Sequence, residues 1–166
     1  NELLEFIRII RNNCDMLLRL INDILEASNM GQSLTIEPKE IDLARTFDDI
    51  CLSLQQRVQE AGVTFLKDNP YPTYTAVLDS GRLQQLLTNF VTNAVKYTHE
   101  GHIRVGYREE NGGILFYCED TGAGIPLEKQ ASVFERFVKL NDFVQGTGLG
   151  LSICRAIVEK CGGHIG

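Results

Sequence analysis

Apolar residues at the start of the chain recur at alternating spacings of four and three, which predicts an amphipathic helix with a heptad seam. The seam is formed by Leu3, Ile7, Ile10, Cys14, Leu17, Ile21, Ile24 and Ser28. Gly31 is the first glycine and predicts the end of this helix. A helix of about 30 residues is roughly 45 Å long, too long to be buried against a small domain. We therefore expect a helix that dimerises in a bundle, with a long edge helix of the globular domain as the alternative.

The remaining chain alternates between strand-like and helix-like patterns. Short apolar runs predict strands at 34–36, 63–66, 74–78, 102–108 and 114–119. Amphipathic runs predict helices at 43–61, 80–97 and 148–161. Asp42 and Asp79 stand where N-caps are expected, and Asn111-Gly112-Gly113 predicts a hairpin turn. These elements predict an α+β fold, a two-layer sandwich with helices covering a mixed, mainly antiparallel sheet, preceded by the long N-terminal helix.

Composition and charge narrow the class of protein. The chain has 166 residues, 43% of them hydrophobic and 23% charged, which is typical of a globular protein and excludes a disordered one. A net charge of −6 argues against nucleic-acid binding. No apolar run approaches the 18 or so residues that span a membrane, so we expect no membrane contact in this segment. The five cysteines form no Cys-x-x-Cys pair and have mostly apolar neighbours, which predicts buried, reduced thiols in a cytoplasmic protein, with disulfides as the alternative.

The helix predicted at 80–97 has an unusual polar face. Asn89, Asn93 and Lys96 follow one another at spacings of four and three, so they share one stripe. Asparagine is less favourable in a helix than Glu, Lys or Gln by several tenths of a kcal/mol, which suggests a role for the side-chain amides. An amide oxygen can bind Mg²⁺, and a lysine one turn later can neutralise phosphate. A solvated polar face is the plainer alternative.

Two glycine-containing segments also suggest ligand binding. The first, Asp120-Thr121-Gly122-Ala123-Gly124-Ile125-Pro126, follows a predicted strand; its carboxylate could accept from an amine, or it could simply cap the turn. The second, Gly146-Thr147-Gly148-Leu149-Gly150-Leu151, opens the last predicted helix and suits a phosphate at a helix N-terminus. The second segment matches neither the Gly-x-Gly-x-x-Gly dinucleotide pattern nor a Walker A loop.

In this order, the asparagine-bearing helix, the Asp120 segment, Val133-Phe134-Glu135-Arg136-Phe137 and the Gly146 segment resemble the ATP-binding domain of sensor histidine kinases. That domain belongs to the superfamily shared with gyrase, Hsp90 and MutL. The resemblance also covers residues 1–30, whose ending Leu20-Ile21-Asn22-Asp23-Ile24-Leu25 is similar to the second helix of the kinase dimerisation hairpin. It implies a partial hairpin at 1–30 and an ATP-binding domain, shortened at its C-terminus, at 31–166.

The resemblance implies ATP and Mg²⁺ as cofactors and assigns a role to each matching residue. Asn93 would bind Mg²⁺. Lys96 would contact phosphate and Asn89 would lie near the γ-phosphate, and both would act as catalytic residues. Asp120 would accept from the adenine amine. The remaining residues expected to line the ATP site are Tyr97, Gly122, Gly124, Ile125, Phe134, Phe137, Lys139, Gly146, Thr147, Gly148, Leu149 and Gly150.

The resemblance further implies transfer of the γ-phosphate to a histidine on a hairpin helix, homodimerisation through the N-terminal helix, and a response-regulator receiver domain as partner. His99, His102 and His164 all fall in the ATP-binding region, and none matches the acceptor box of the family. We therefore expect the acceptor to lie outside this sequence, in a cytoplasmic part of a membrane-anchored sensor. A non-catalytic or phosphatase-biased ATP-binding module is the alternative. A gyrase-, MutL- or Hsp90-like ATPase is disfavoured because Asn89 replaces their water-activating Glu.

Overall fold

The structure of the protein is a computed structural model that describes residues 2–29, 34–139 and 148–166. Its elements are α1 (Glu2–Asn29), β1 (Lys39–Asp42), α2 (Leu43–Glu60), β2 (Thr64–Asp68), β3 (Thr75–Leu78), α3 (Ser80–Tyr97), β4 (His102–Glu110), β5 (Gly113–Asp120), α4 (Leu127–Gln130) and α5 (Gly150–Lys160). The chain forms two compact units, the first from residues 1–35 and 131–166 and the second from residues 36–130. The predicted domain boundary after residue 30 stays a prediction.

The first unit contains α1 and α5. The heptad seam of α1 is exposed along its length, with 65% of Leu3, 61% of Ile10 and 53% of Ile24 accessible. Three other side chains on α1, those of Leu20, Asp23 and Glu26, are half-buried. Ile153, Cys154 and Ile157 form the buried face of α5. No helix in the described ranges is both long and apolar enough to cross a membrane.

The second unit is the predicted α+β layer structure. In its described residues, β2 pairs in parallel with β4, and β4 pairs antiparallel with β5, while β1 and β3 form a separate antiparallel pair. Alternate residues of β4, Ile103, Val105 and Tyr107, are buried together with the apolar faces of α2 and α3. The prediction of a mixed sheet covered by helices is therefore confirmed.

Local signals explain most of the element boundaries in this unit. Asp42 caps α2 through the Ala44 N–H (3.1 Å), and Asp79 caps α3 through the Arg82 N–H (3.0 Å). Asn111 and Gly112 both have positive φ (51° and 79°), as a two-residue hairpin turn of the primed type requires. The helices predicted after Asp42 and Asp79 and the hairpin at Asn111-Gly112 are thus confirmed.

The structure corrects three of the predictions. Residues 34–36 are not a strand; the backbone N–H of Glu37 bonds instead to the Asp79 Oδ2 (2.8 Å), and the first strand is β1. The last helix begins at Gly150 rather than Gly148, because Gly148 has φ +70°, which no residue of a right-handed helix can have. All five cysteines are free, but Cys14 and Cys161 are exposed rather than buried.

Candidate functional site

The polar stripe of α3 exists as predicted. Asn89, Asn93 and Lys96 all lie on this regular helix and are half-buried, while Leu87 and Val91 on another face are fully buried in the core. The Asn93 side-chain amide has no hydrogen-bond partner in the described part of the chain. A half-buried amide without a partner can accept a ligand contact at no loss of internal bonds.

The turn after β5 exposes the carboxylate of Asp120. Its Oδ1 accepts a hydrogen bond from the Gly122 N–H (2.8 Å), which closes the turn on itself. Its Oδ2 has no partner in the part of the chain that the structure describes, and the side chain is exposed. One carboxylate oxygen therefore shapes the turn while the other can accept from a ligand.

This turn is bound to the C-terminal end of α3. The Ala123 N–H donates to the Tyr97 carbonyl oxygen (3.2 Å), and a Cβ built on Gly122 would overlap that same oxygen. Only glycine allows this approach of two backbones. The bond places Asp120, Gly122 and Tyr97, which were predicted from two separate segments, in one corner of the second unit. Gly124 has φ +71°, and Ile125, the next residue, is 39% exposed.

Thr98, the residue after α3, was not predicted from the sequence. Its side chain is 1% exposed, and its Oγ1 is the only buried side-chain oxygen or nitrogen among the described residues that lacks a hydrogen-bond partner. The same oxygen would lie 2.8 Å from a Cβ at Gly122, so it faces the Asp120 turn. The sequence shows a hydroxyl residue directly after Tyr97, but it cannot show that this hydroxyl is buried without a hydrogen-bond partner.

Cys118, two residues before Asp120, illustrates the electrostatics of β5. Burial of its thiol, with smaller contributions from the carboxylates of Asp120 and Glu119, raises its pKa to about 12. The thiol is therefore neutral at physiological pH. Because the thiolate is the nucleophilic form, Cys118 is a packing residue rather than a reactive one.

The first unit holds the other predicted residues. Phe134 and Lys139 are half-buried, whereas Phe137 is 69% exposed and has φ +62°. The Phe137 N–H donates to the Gly148 carbonyl oxygen (2.8 Å), and a Cβ on Gly148 would lie 2.7 Å from the Phe137 carbonyl carbon. This pair, which we call the Phe137–Gly148 clasp, therefore requires glycine at position 148.

The N-terminus of α5 follows this clasp directly. Leu149 stands at its N-cap position, is fully buried and provides no side-chain hydrogen bond to the helix. Gly150 is the first residue of the helix, so the glycine-rich segment does open α5. Gly146 and Thr147, also predicted to contact phosphate, lie outside the described residues.

Within the second unit, the structure thus brings the predicted adenine acceptor next to the end of the helix that carries the predicted metal and phosphate ligands. A polar cavity of about 500 Å³ elsewhere in this unit contains none of the predicted residues; it is lined by Ala44, Arg45, Asp48, Asp49, Lys67, Asn69, Tyr71 and Pro72. No cluster of three or more His, Cys, Asp or Glu side chains in the described ranges could hold a metal ion.

Comparisons with known proteins show which family and which proteins the chain is similar to. Residues 78–166 match the family of histidine kinase-, DNA gyrase B- and HSP90-like ATPases. The chain is 33% identical over 171 aligned residues to the circadian input-output histidine kinase CikA of Synechococcus elongatus, covering 97% of this chain and 22% of CikA. It is 32% identical to the sensor protein SrrB of Staphylococcus aureus, covering 99% of this chain and 29% of SrrB. The chain thus spans only about a quarter of the length of these relatives.

Solved structures show the same fold. The crystal structure of full-length ShkA in complex with AMPPNP superposes with a TM-score of 0.82 at 30% identity, covering 98% of this chain and 35% of ShkA. The histidine kinase ThkA in complex with the response regulator TrrA superposes with a TM-score of 0.74 at 25% identity, covering 95% of this chain and 44% of ThkA. The match over residues 78–166, together with the α+β layers of the fold, shows that the chain belongs to the family of histidine kinase-, DNA gyrase B- and HSP90-like ATPases.

Proposed function

We propose that this chain is the ATP·Mg²⁺-binding catalytic part of a two-component sensor histidine kinase. The whole protein would transfer the γ-phosphate of ATP to a histidine other than His99, His102 and His164. The observation that carries the proposal is the hydrogen bond from the Ala123 N–H to the Tyr97 carbonyl oxygen. It supports the proposal because it holds the exposed Asp120 carboxylate beside the end of the helix bearing Asn93. The similarity to the histidine kinases CikA and ThkA favours a kinase over a gyrase-like ATPase.

The donor set of α3 fits a magnesium–nucleotide complex. Mg²⁺ prefers oxygen ligands and commonly takes only one or two from the protein, with substrate phosphates and water supplying the others. The partnerless Asn93 amide offers one such oxygen, and Lys96 lies one turn further on the same stripe. When bound, Mg²⁺ would neutralise phosphate charge. Asn93 would then orient the metal, and Asn89 would lie beside the γ-phosphate.

The Asp120 turn fits the base of the nucleotide. The free Asp120 Oδ2 can accept from the exocyclic amine of adenine, while Oδ1 stays bonded to Gly122. Gly122 lets the turn approach the Tyr97 backbone, and no atom lies within 4 Å of a Cβ built on Gly124, so that side of the turn leaves room for a planar ring. Tyr97 and Ile125 would provide apolar contacts to that ring.

We infer that the cationic and N-terminal groups of the chain act on the phosphates. The N-terminus of α5, without a side-chain cap, presents the positive end of the helix dipole at Gly148, Leu149 and Gly150. Lys96 and Lys139 would supply positive charge, with Gly146 and Thr147 as further backbone contacts. Phosphoryl transfer depends mainly on alignment and charge neutralisation, which such groups provide. Phe134 and Phe137 would pack near the nucleotide.

We further propose that α1 mediates homodimerisation. Its seam side chains from Leu3 to Ile24 are exposed in the single chain, and a heptad seam is stabilised when it packs against partner helices. The response-regulator complex of ThkA supports a receiver domain as the second protein partner. We place the chain in the cytoplasm, where ATP and receiver domains meet.

Titration with AMPPNP in the presence of Mg²⁺ tests nucleotide binding. The unaltered chain should bind, and Asp120→Asn should lose roughly tenfold or more in affinity, because hydrogen bonds to charged groups contribute about 1.5–3 kcal/mol. Asn93→Asp should alter the Mg²⁺ dependence of binding, with Asn12→Asp on α1 as the matched control. Absence of binding by the unaltered chain would refute the proposal.

A second experiment separates a kinase from a binding module. Incubated alone with ATP labelled at the γ-phosphate, the chain should acquire no acid-labile label. Added to a hairpin segment carrying the acceptor histidine, it should label that segment. Binding without transfer would favour the non-catalytic alternative, and label on His99, His102 or His164 would contradict the assignment of the acceptor.

A further inference from the structure

The polar stripe of α3 continues beyond Asn89 toward the start of the helix. Gln85 and Arg82 precede Asn89 by four and seven residues, which places them on the same stripe, and both side chains are half-buried. The Arg82 Nη1 donates a hydrogen bond to the Gln85 side-chain oxygen (2.8 Å). Pairs at this spacing stabilise a helix slightly, so a role in the stability of α3 is the plainer alternative to a role in binding.

The proposed nucleotide runs along this stripe in a defined direction. Adenine would lie at the C-terminal end of α3, because the turn after β5 is held there by the hydrogen bond to the Tyr97 carbonyl oxygen. The phosphates then extend from Lys96 toward Asn89. Side chains on a helix lean toward its N-terminus, so a phosphate bound by the Asn89 side chain lies over the turn that begins at Gln85. Gln85 is therefore next to the γ-phosphate rather than the two phosphates nearer the ribose.

The hydrogen bond from Arg82 determines which atom of the Gln85 amide faces the guanidinium. A guanidinium can only donate, so the facing atom is the amide oxygen, and the amide nitrogen lies at the other end of the planar group. That nitrogen carries two hydrogens, so it can make a contact within the fold and still donate to a ligand. Phosphate oxygens accept hydrogen bonds, and the γ-phosphate is the group that ADP lacks.

We propose that Gln85 is a specificity-determining residue that distinguishes ATP from ADP by donating a hydrogen bond from its side-chain amide to a γ-phosphate oxygen. Arg82 is the positioning residue, because it holds the amide oxygen and thereby keeps the nitrogen available to the phosphate. This inference rests on the proposed function and adds to Asn89 a contact that ADP cannot make. Transfer of the γ-phosphate removes the contact, which favours release of ADP.

The test measures affinities for AMPPNP and for ADP by calorimetric titration with Mg²⁺, and melting temperatures without nucleotide. Gln85→Glu keeps the size of the side chain and still accepts from Arg82, but it cannot donate. It should lose roughly tenfold or more in affinity for AMPPNP, as expected for a hydrogen bond to a charged group. The loss for ADP should stay below about threefold, because screening weakens the added charge at the more distant phosphates. The melting temperature should not fall.

Gln84→Glu is the matched control, because Gln84 is exposed and lies about 100° around the same helix from Gln85. It introduces the same charge and should leave both affinities unchanged. Gln85→Ala removes the donor without adding charge and should lose roughly tenfold for AMPPNP alone. Arg82→Met should shift the ratio of the two affinities in the same direction by roughly twofold, because the Gln85 amide can then adopt both flipped orientations.

Three results would overturn this inference while leaving nucleotide binding intact. An unchanged ratio of the two affinities in Gln85→Glu and Gln85→Ala would show that the amide makes no contact with the γ-phosphate. Equal losses for both nucleotides would assign the pair of Arg82 and Gln85 to the stability of α3. An equal shift in Gln84→Glu would show an effect of charge rather than of a hydrogen bond. If the unaltered chain binds neither AMPPNP nor ADP, the proposed function fails together with this inference.

Discussion

Replacing Gly122 with alanine tests the contact between the Asp120 turn and α3. The added Cβ would overlap the Tyr97 carbonyl oxygen and stand 2.8 Å from both the Tyr97 carbonyl carbon and the Thr98 Oγ1. Neither Tyr97 atom can move without disturbing α3, so the turn must shift. The shift would break the hydrogen bond from Ala123 to Tyr97 (3.2 Å). One lost bond at about 1 kcal/mol and overpacking at about 1–3 kcal/mol give an expected loss of roughly 2–4 kcal/mol.

Urea denaturation measures this loss. With a slope of about 2 kcal/mol per molar, the midpoint of Gly122→Ala should fall by roughly 1–2 M. Gly124→Ala is the control, because Gly124 has φ +71° but no atom within 4 Å of its built Cβ, so only backbone strain of about 1–2 kcal/mol applies. AMPPNP affinity should also fall in Gly122→Ala, since Asp120 moves with the turn. A midpoint lowered no further than in Gly124→Ala would refute the steric argument.

Three further changes probe a helix cap, a crowded glycine and a buried hydrogen bond. Hydrogen bonds from the backbone N–H groups of Glu37 and then Arg82 lower the pKa of Asp79. The Asp79 carboxylate therefore stabilises the fold fully above its unfolded-state pKa of about 4, and this stabilisation is lost as pH falls through the lower pKa of the folded state. The difference in melting temperature between the unaltered chain and Asp79→Ala should shrink below about pH 4. Gly148→Ala should lower the urea midpoint more than Gly62→Ala, because both glycines have positive φ but only Gly148 is crowded, by the backbone of the clasp. Tyr107→Phe should lower the free energy of unfolding by about 1–2 kcal/mol, because the buried Tyr107 hydroxyl donates to the Asn69 side-chain oxygen (2.6 Å). An unchanged urea midpoint would show that this hydrogen bond does not stabilise the fold.

Local signals made much of the second unit predictable from the sequence. Asp79 followed by an amphipathic run gave the start of α3, and Asn111-Gly112 gave the hairpin, because capping and positive-φ turns depend only on nearby residues. The stripe of Asn89, Asn93 and Lys96 followed from helical periodicity alone.

Long-range pairing was not predictable in the same way. The alternation at 34–36 is typical of a strand, but its neighbour Glu37 bonds to the distant Asp79 side chain rather than to a partner strand. The isolation of the Thr98 hydroxyl depends on every atom around it, so no sequence pattern could show it. The roles of the individual ATP-site residues stay predictions, supported by the family and tested by the substitutions above.

The parallel pairing of β2 with β4 has a consequence for the order of folding. β4 and β5 are joined by a two-residue turn and can pair locally, whereas Thr64 of β2 lies opposite His102, roughly 40 residues further along the chain. Pairing β2 with β4 closes a loop of roughly 40 residues and costs more chain entropy than the local hairpin, so we expect the β4–β5 hairpin and α3 to form early and β2 to join last. Substitutions such as Val63→Ala, next to β2, should then accelerate unfolding while leaving the refolding rate nearly unchanged, whereas Val105→Ala in the hairpin should slow refolding.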